Sequence, residues 1–352
     1  MKPFYDPLKT YIKNYEKGPF NAFADGKVFS QKNKPQHKFL GENVFLPFGI
    51  PAGPLLNSKF IKAAFEKGFD MCVYKTVRTT VFPCHPYPNL LAIHKNKILI
   101  DDLAKPIETD KKFSKPLSIT NSFGVPSKDP VIWQEDAKRA ISYAKDGQIM
   151  ILSFMGTARS GQSENQFVDD FALAAKLSNE TGAKVLEVNF SCPNIGDSGL
   201  VCYSLETTEK VLRAIRKVIG VKPLIVKTGY FTNQNQLEKF AKIAGEYGDA
   251  ISAINTLQGT IVKQNGQQAL PGKERLKSGI CGHGIRWAGI DMVKRLQKIR
   301  EKQHLKFMIV GVGGVTLAQD YFDYKKAGAD AVMSATGAMW NPNLAHEIKN
   351  II

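Results

Sequence analysis

The feature that most constrains this chain is a regular alternation of short apolar runs with longer amphipathic segments from residue 149 onward. The runs are about four to eight residues long and rich in Val, Ile and Ala, which is typical of buried parallel strands. The segments between them repeat apolar residues at the spacing of one helix face. The predicted strands are 149–156, 184–191, 224–228, 250–256, 307–312 and 331–335.

Two further strands, 44–50 and 69–76, precede this alternation, and the helix between them begins after Asn57 or Ser58 and ends at Gly68. The chain therefore has eight predicted strands, each followed by a helix. Such a repeat over about 300 residues predicts a (β/α)8 TIM barrel. A doubly wound open sheet is the alternative, but its first strand would lead into a glycine-rich dinucleotide turn, where this chain has Pro-Ala-Gly-Pro.

Two stretches lie outside the repeat. Residues 1–43 form a polar N-terminal lead without a clear period, and 77–128 contain prolines that exclude a long helix. The run 117–123 has the composition of a strand, but no helix separates it from the preceding strand. We therefore assign it to an excursion that covers the active site. The sequence also predicts a glycine-rich loop at 266–284. We expect the whole chain, 1–352, to form one domain.

Charge and composition exclude several classes of protein. The net charge is +16, but the lysines are spread over the lead and over predicted helix surfaces such as 294–306. A dispersed positive surface attracts small anions and does not form a nucleic-acid groove. No apolar run approaches the roughly 18 to 20 residues that span a bilayer, and residues 1–20 form neither a signal peptide nor a membrane anchor. We therefore expect no nucleic-acid partner and no membrane association.

The cysteines indicate the compartment. The five are scattered and include no C-x-x-C pair. This pattern favours a reducing cytoplasm and argues against a zinc ion or an iron–sulfur cluster held by this chain.

The strongest chemical signal is the end of the strand 184–191. Pro193 cannot donate to a sheet, so the strand stops at Cys192, and the carboxamides of Asn189 and Asn194 flank this thiol. A thiol can act as a base or nucleophile, and carboxamides suit a planar ring that contains amides. The alternative is a buried structural cysteine beside a turn.

Other strand ends also carry polar residues. In a TIM barrel these ends form the active site, where we expect Lys75, Lys227, Asn255 and Thr256. The loops after the last two strands contain glycines that allow a phosphate to approach the backbone closely. These glycines are Gly313, Gly314 and Gly337, beside Thr336.

The chain resembles the dihydroorotate dehydrogenase family, class 1. The resemblance runs from about residue 44 to the C-terminus. The motifs that carry it are Asn-x-Ser-Cys-Pro-Asn at 189–194, Asn-Ser-Phe-Gly at 121–124, Lys-Thr at 75–76, Val-Lys at 226–227, Asn-Thr at 255–256 and Val-Gly-Gly at 312–314. Class 2 members have a serine base, so Cys192 and the lack of a membrane-binding N-terminal helix favour class 1. The loop 196–202 has the length found in the fumarate-using subgroup but not its Gly-Lys-Pro-Gln sequence, and Thr336-Gly337 stands where the family usually has Gly-Thr.

The resemblance implies a bound FMN across the barrel mouth and oxidation of dihydroorotate to orotate in pyrimidine biosynthesis. Cys192 would remove the C5 proton while the C6 hydride passes to FMN, and Lys75 would face a carboxylate or the flavin edge. The residues implied to hold FMN are Ala52, Gly53, Lys75, Thr76, Asn189, Lys227, Gly282, Gly313, Gly314, Thr336 and Gly337. The residues implied to surround the substrate are Lys75, Asn121, Phe123, Gly124, Val125, Asn189, Asn194, Asn255 and Thr256.

Some alternatives stay open. A dihydropyrimidine dehydrogenase-like enzyme would act on a neutral pyrimidine, with Cys202 as a second candidate base. From a different class, a basic barrel that merely binds anions or nucleic acid would carry no flavin. The resemblance favours a homodimer and leaves the electron acceptor open between fumarate, a quinone and an iron–sulfur partner subunit.

Overall fold

The computed structural model describes residues 2–29, 31, 34–191, 200–273 and 275–352. Its strands are β1 (His37–Phe39), β2 (Glu42–Val44), β3 (Phe48–Ile50), β4 (Met71–Val77), β5 (Leu90–Ile93), β6 (Ile107–Glu108), β7 (Ser118–Asn121), β8 (Ile149–Phe154), β9 (Val185–Asn189), β10 (Leu224–Thr228), β11 (Ala250–Ala253), β12 (Leu257–Val262), β13 (Lys277–Gly282), β14 (Met308–Val312) and β15 (Ala331–Met333). Its α-helices are α1 (Tyr11–Lys17), α2 (Ser58–Glu66), α3 (Ile100–Leu103), α4 (Pro130–Ser142), α5 (Glu164–Asn179), α6 (Leu205–Ile219), α7 (Gln234–Tyr247), α8 (Arg286–Lys302), α9 (Ala318–Lys326), α10 (Thr336–Trp340) and α11 (Leu344–Lys349).

Eight parallel strands close into a barrel in chain order: β3, β4, β8, β9, β10, β11, β14 and β15. The last strand pairs with the first, Val332 opposite Phe48, which closes the ring. The helices begin where local chemistry predicts, as in α2, where the Asn57 side chain accepts a hydrogen bond from the Lys59 amide. The predicted (β/α)8 barrel is confirmed.

A hairpin closes the N-terminal end of the barrel. Strands β1 and β2 place Phe39 and Val44 in one apolar cluster with inward residues of the barrel strands such as Met71 and Ile225. The prediction that residue 44 belongs to the first barrel strand was wrong. Pro47 has no N–H to donate, and the barrel strand begins after it, at Phe48.

A second sheet of five strands, in the order β5-β7-β13-β12-β6, is built from two separate excursions. The run 117–123 supplies β7 and not a barrel strand, as predicted. The prediction of a loop throughout 266–284 was wrong, because Lys277–Gly282 forms β13. Glycines in this segment are typical of a turn, but pairing with β12 on one side and β7 on the other satisfies its backbone.

The lead folds onto the barrel, although its sequence shows no clear period. It contains the helix α1, and its residues Phe4 and Phe23 are buried in the same apolar cluster as the barrel's outer layer. The Asn14 side chain is fully buried and organises the turn before α1. Its Nδ2 donates to the carbonyl oxygens of Asp6 at 3.0 Å and Thr10 at 3.0 Å, and its Oδ1 accepts from the Asp6 amide at 2.8 Å.

None of the helices in the described part of the chain combines the length and apolar character that crossing a bilayer requires.

We expect Asn14→Ala to lower the free energy of unfolding by about 2–4 kcal/mol, because it leaves buried backbone groups of the lead without partners. Chemical denaturation followed by circular dichroism measures this loss. The matched control is Asn265→Ala, in an exposed turn, which should change stability by less than about 0.5 kcal/mol. Equal stability of the two variants would show that Asn14 does not hold the lead.

Candidate active site

A cavity lies at the C-terminal ends of the barrel strands. Three parts of the chain line it. The barrel contributes strand ends such as Lys75 and Lys227, the second sheet contributes Ile119 and Cys281, and the lead contributes Tyr5. The barrel rim is therefore covered by segments that are distant in the sequence.

The structure brings most of the predicted site residues to this cavity. The predicted cofactor residues in its lining are Ala52, Gly53, Lys75, Thr76, Asn189, Lys227 and Thr336. The predicted substrate residues in its lining are Lys75, Asn121, Phe123, Val125, Asn189, Asn255 and Thr256. Five predicted glycines are not part of the lining: Gly124, Gly282, Gly313, Gly314 and Gly337. Cys192 and Asn194 lie outside the described residues.

A network of side-chain amides and hydroxyls fixes one side of the rim. Asn189 Nδ2 donates to Thr76 Oγ1 at 3.4 Å, and Asn189 Oδ1 accepts from the Ser191 amide at 3.1 Å. Asn255 Nδ2 donates to Asn189 Oδ1 at 3.4 Å and also to the Ser191 carbonyl oxygen. The residue immediately before Cys192 is therefore tied to two of the predicted substrate-binding amides.

The charged side chains that line the cavity are positive. The charged residues in its described lining are Lys75 and Lys227, which are 7% and 3% exposed, and that lining contains no carboxylate. Lys227 Nζ donates to the Ala52 carbonyl oxygen at 3.3 Å. Because buried charges act at low dielectric, this arrangement favours an anionic ligand.

Glu187 is a buried acid inside the barrel that sequence reasoning did not select. It lies two residues before Asn189 on β9, its side chain is fully buried, and neither carboxyl oxygen accepts a hydrogen bond with normal geometry from the described residues. Burial raises the pKa of Glu187, and the nearby Lys227 and Ser153 oppose this shift only in part. The sequence signal that could have identified Glu187 is that it is the single acid within the apolar run 184–190.

Two buried arginines, which sequence reasoning also missed, hold the excursion over the cavity. Arg78 Nε donates to the Val125 carbonyl oxygen at 2.9 Å, and its Nη2 donates to the Gly124 carbonyl oxygen at 3.2 Å. Arg275 donates to the Ser122 hydroxyl at 3.1 Å and to the Ser122 carbonyl oxygen at 3.0 Å. These bonds stabilise the left-handed backbone of Gly124 (φ 75) and Val125 (φ 53).

Two of the glycines predicted to hold the phosphate have positive φ angles. Gly313 and Gly314 have φ values of 122 and 72. A Cβ on Gly314 would lie 2.5 Å from the Arg286 Cα, and a Cβ on Gly337 would lie 2.3 Å from the Val315 carbonyl oxygen. Glycine is therefore required at Gly314 and Gly337, because neighbouring protein atoms leave no room for a side chain.

Cys281 and Cys202, two of the described cysteines, differ in position. Cys281 lies in the cavity, where its sulfur accepts from Asn121 Nδ2 at 3.3 Å. Cys202 is fully buried, is absent from the lining, and has a pKa raised by burial. The structure does not bring the second candidate base to the cavity.

Comparisons with known proteins place the chain in a family. The sequence profile described as Dihydroorotate dehydrogenase matches residues 108–352. A dihydroorotate dehydrogenase of Dictyostelium discoideum is 36% identical over 377 aligned positions, which cover 99% of this chain and 97% of that relative. The chain belongs to the dihydroorotate dehydrogenase family. The resemblance inferred from the motifs is confirmed.

Bacterial members of the dihydroorotate dehydrogenase family match a smaller part of the chain. The catalytic subunit of dihydroorotate dehydrogenase B (NAD(+)) from Brachyspira hyodysenteriae is 31% identical over 186 positions, which are 52% of this chain and 58% of the relative. The subunit of the same name from Maridesulfovibrio salexigens is 32% identical over 178 positions, which are 50% of this chain and 55% of the relative.

We expect Glu187→Gln to unfold at a higher temperature than the parent protein at about pH 8. The folded state holds the Glu187 proton more tightly than the unfolded chain, because its pKa is raised. The parent therefore loses stability as the pH rises from the ordinary glutamate pKa of about 4.3 through the raised value. The glutamine side chain cannot ionise and avoids this loss.

Thermal unfolding between about pH 4 and pH 8 measures this difference, which should shrink toward the acid end. Glu246→Gln, on the exposed face of α7, is the control and should follow the parent at every pH. A Glu187→Gln protein that loses stability relative to the parent as the pH rises would contradict the assignment.

Proposed function

We propose that this protein is a class 1, FMN-dependent dihydroorotate dehydrogenase that oxidises dihydroorotate to orotate in pyrimidine biosynthesis. The observation that carries the proposal is the cavity that collects Lys75, Asn121, Asn189 and Asn255 from four separate segments of the chain. Membership of the dihydroorotate dehydrogenase family supports the same chemistry.

The lining of the cavity supports dihydroorotate over a neutral pyrimidine. Dihydroorotate carries a carboxylate and ring amides. Lys75 and Lys227 supply positive charge without a carboxylate in the described lining, and the carboxamides of Asn121, Asn189 and Asn255 can pair with ring N–H and C=O groups. A neutral pyrimidine could accept a hydrogen bond from a lysine but would lack the charge attraction that a carboxylate gains. The buried position of Cys202 also weakens the dihydropyrimidine dehydrogenase-like alternative.

The residues present fit FMN. Ala52 and Gly53 offer a surface without bulky side chains, Lys227 would face the flavin ring, and Gly313 and Gly314 would hold the phosphate through backbone N–H groups. When bound, FMN supplies the acceptor for the hydride from C6 of the substrate.

The chain's own residues supply the proton transfer and the orientation. Cys192 would take the proton from C5 of dihydroorotate as a thiolate. Asn189 and Asn255 would hold the ring in register with that thiol, because both already contact Ser191. A free thiol has a pKa of about 8.5, so activity should rise with pH unless Lys75 lowers that value.

The oxidant and the assembly also belong to the proposal. The bacterial relatives are named as catalytic subunits of NAD(+) enzymes, which favours a partner subunit as the acceptor. An iron–sulfur partner subunit, a quinone and fumarate are the candidates that the sequence leaves open. We expect a cytoplasmic homodimer that binds neither nucleic acid nor membranes.

We expect Cys192→Ala to keep its fold and its flavin but to be reduced by dihydroorotate about 10²- to 10⁴-fold more slowly, since a positioned base typically contributes this much. The rate of flavin reduction in Cys192→Ser should fall between those of the parent protein and Cys192→Ala. Its activity should be displaced to higher pH. Stopped-flow absorbance of the flavin measures the rates. Cys202→Ala is the matched control, and an unaffected rate in Cys192→Ala would remove Cys192 from the mechanism.

We expect Gly313→Val to be purified without most of its FMN. A β-branched residue is strained at φ 122, and its Cβ would lie 3.2 Å from Ile254 Cγ1 beside the cavity. Released flavin, measured against protein concentration, gives the occupancy.

The control for this variant is Gly161→Val, because Gly161 also has a positive φ, of 73, but nothing lies within 4 Å of its Cβ position. This variant also places a β-branched residue at a positive φ, but outside the cavity lining, and should keep its FMN. Full FMN occupancy in Gly313→Val would refute the phosphate-site assignment.

A further inference from the structure

The N-terminal lead reaches the mouth of the cavity. The Phe4 amide donates to the Met339 carbonyl oxygen at 3.0 Å, and the Phe20 amide donates to the Phe4 carbonyl oxygen at 3.0 Å. Met339 itself lines the cavity, together with Tyr5 and Tyr11 of the lead. Backbone hydrogen bonds therefore fix the position of the lead at the rim.

Tyr5 has a buried hydroxyl without a partner. Its side chain is 2% exposed, and no described residue forms a hydrogen bond with the hydroxyl oxygen. Its ring meets Phe123, a predicted substrate residue, edge to face with centroids 5.6 Å apart. Buried hydroxyls in folded proteins normally have a hydrogen-bond partner, because an unpaired one costs stability. Since Tyr5 lines the cavity, a ligand there can supply that partner.

The charge of the cavity that Tyr5 lines favours an anionic ligand, because the charged residues in its described lining are Lys75 and Lys227. The Lys75 ammonium lies 6.0 Å from the ring centroid of Tyr11, which also packs against Phe123. Asp6, beside Tyr5, is already engaged by the Lys9 ammonium at 2.5 Å.

The Tyr5 hydroxyl keeps its proton at neutral pH. Burial raises its pKa, and Cys84 and Asp6 add to the shift. A neutral phenol can donate a hydrogen bond to a carboxylate.

We propose that Tyr5 is a substrate-binding residue whose hydroxyl donates a hydrogen bond to the carboxylate of the substrate, so that the lead forms part of the active site. This inference rests on the proposed function, because it takes the carboxylate of dihydroorotate or orotate as the acceptor. It assigns the lead a role in selecting an acidic pyrimidine over a neutral one.

The test is Tyr5→Phe, which removes one oxygen atom and keeps the ring against Phe123. In the FMN-loaded protein, isothermal titration calorimetry with orotate should show affinity weakened by about ten- to a hundredfold, as expected for a lost hydrogen bond to a charged group. Affinity for uracil, which lacks the carboxylate, should stay within about twofold of the parent. The KM for dihydroorotate should rise more than kcat falls.

Tyr15→Phe is the matched control. Tyr15 lies one helical turn beyond Tyr11 on α1 and is absent from the lining of this cavity. Its variant removes a hydroxyl from the same lead and should bind both ligands like the parent.

The outcomes separate the inference from the proposed function. A parent protein that neither binds orotate nor is reduced by dihydroorotate overturns both. If the parent binds orotate and is reduced by dihydroorotate, but Tyr5→Phe binds orotate with unchanged affinity, the inference alone is overturned. Equal weakening for orotate and uracil overturns it as well, because Tyr5 would then shape the cavity without contacting the carboxylate.

Discussion

The closure of eight parallel strands is the constraint on which the rest of the structure depends. In a parallel barrel every strand ends on the same rim, so side chains such as Lys75, Asn189 and Lys227 meet although up to about 150 residues separate them. The opposite end is filled by Phe39 and Val44 of the first hairpin, which pack with the inward residues of the strands. The polar chemistry is thereby concentrated at the C-terminal rim.

The rim becomes a cavity because other segments cover it. The second sheet pairs Asn121 with Gly279, so two excursions that leave different barrel strands share one set of backbone hydrogen bonds. Buried guanidinium groups of Arg78 and Arg275 add bonds to carbonyl oxygens at 122–125. Backbone pairing and these side-chain bonds, together with the apolar packing of residues such as Ile119 and Ile280, hold Asn121 above the rim.

The site also carries an electrostatic cost. Lys75, Lys227 and Glu187 are all buried at the upper end of the barrel, where ionised groups are expensive. A barrel optimised for stability would place apolar residues there. Binding of the proposed anionic substrate would offset part of this cost, so the same side chains would serve binding at the expense of stability.

The sequence by itself determined the barrel and most of the rim, because strand and helix periodicity and the residue at each strand end are local properties. This is why Lys75, Asn189, Lys227 and Asn255 could be predicted. Only the tertiary structure decided which distant segments complete the site. Tyr5 has no periodic signal, and the strand at 277–282 pairs with β12 on one side and, on the other, with β7, which lies more than 100 residues earlier. Such contacts arise from packing and backbone pairing between remote segments, which leave no pattern in the sequence around either partner.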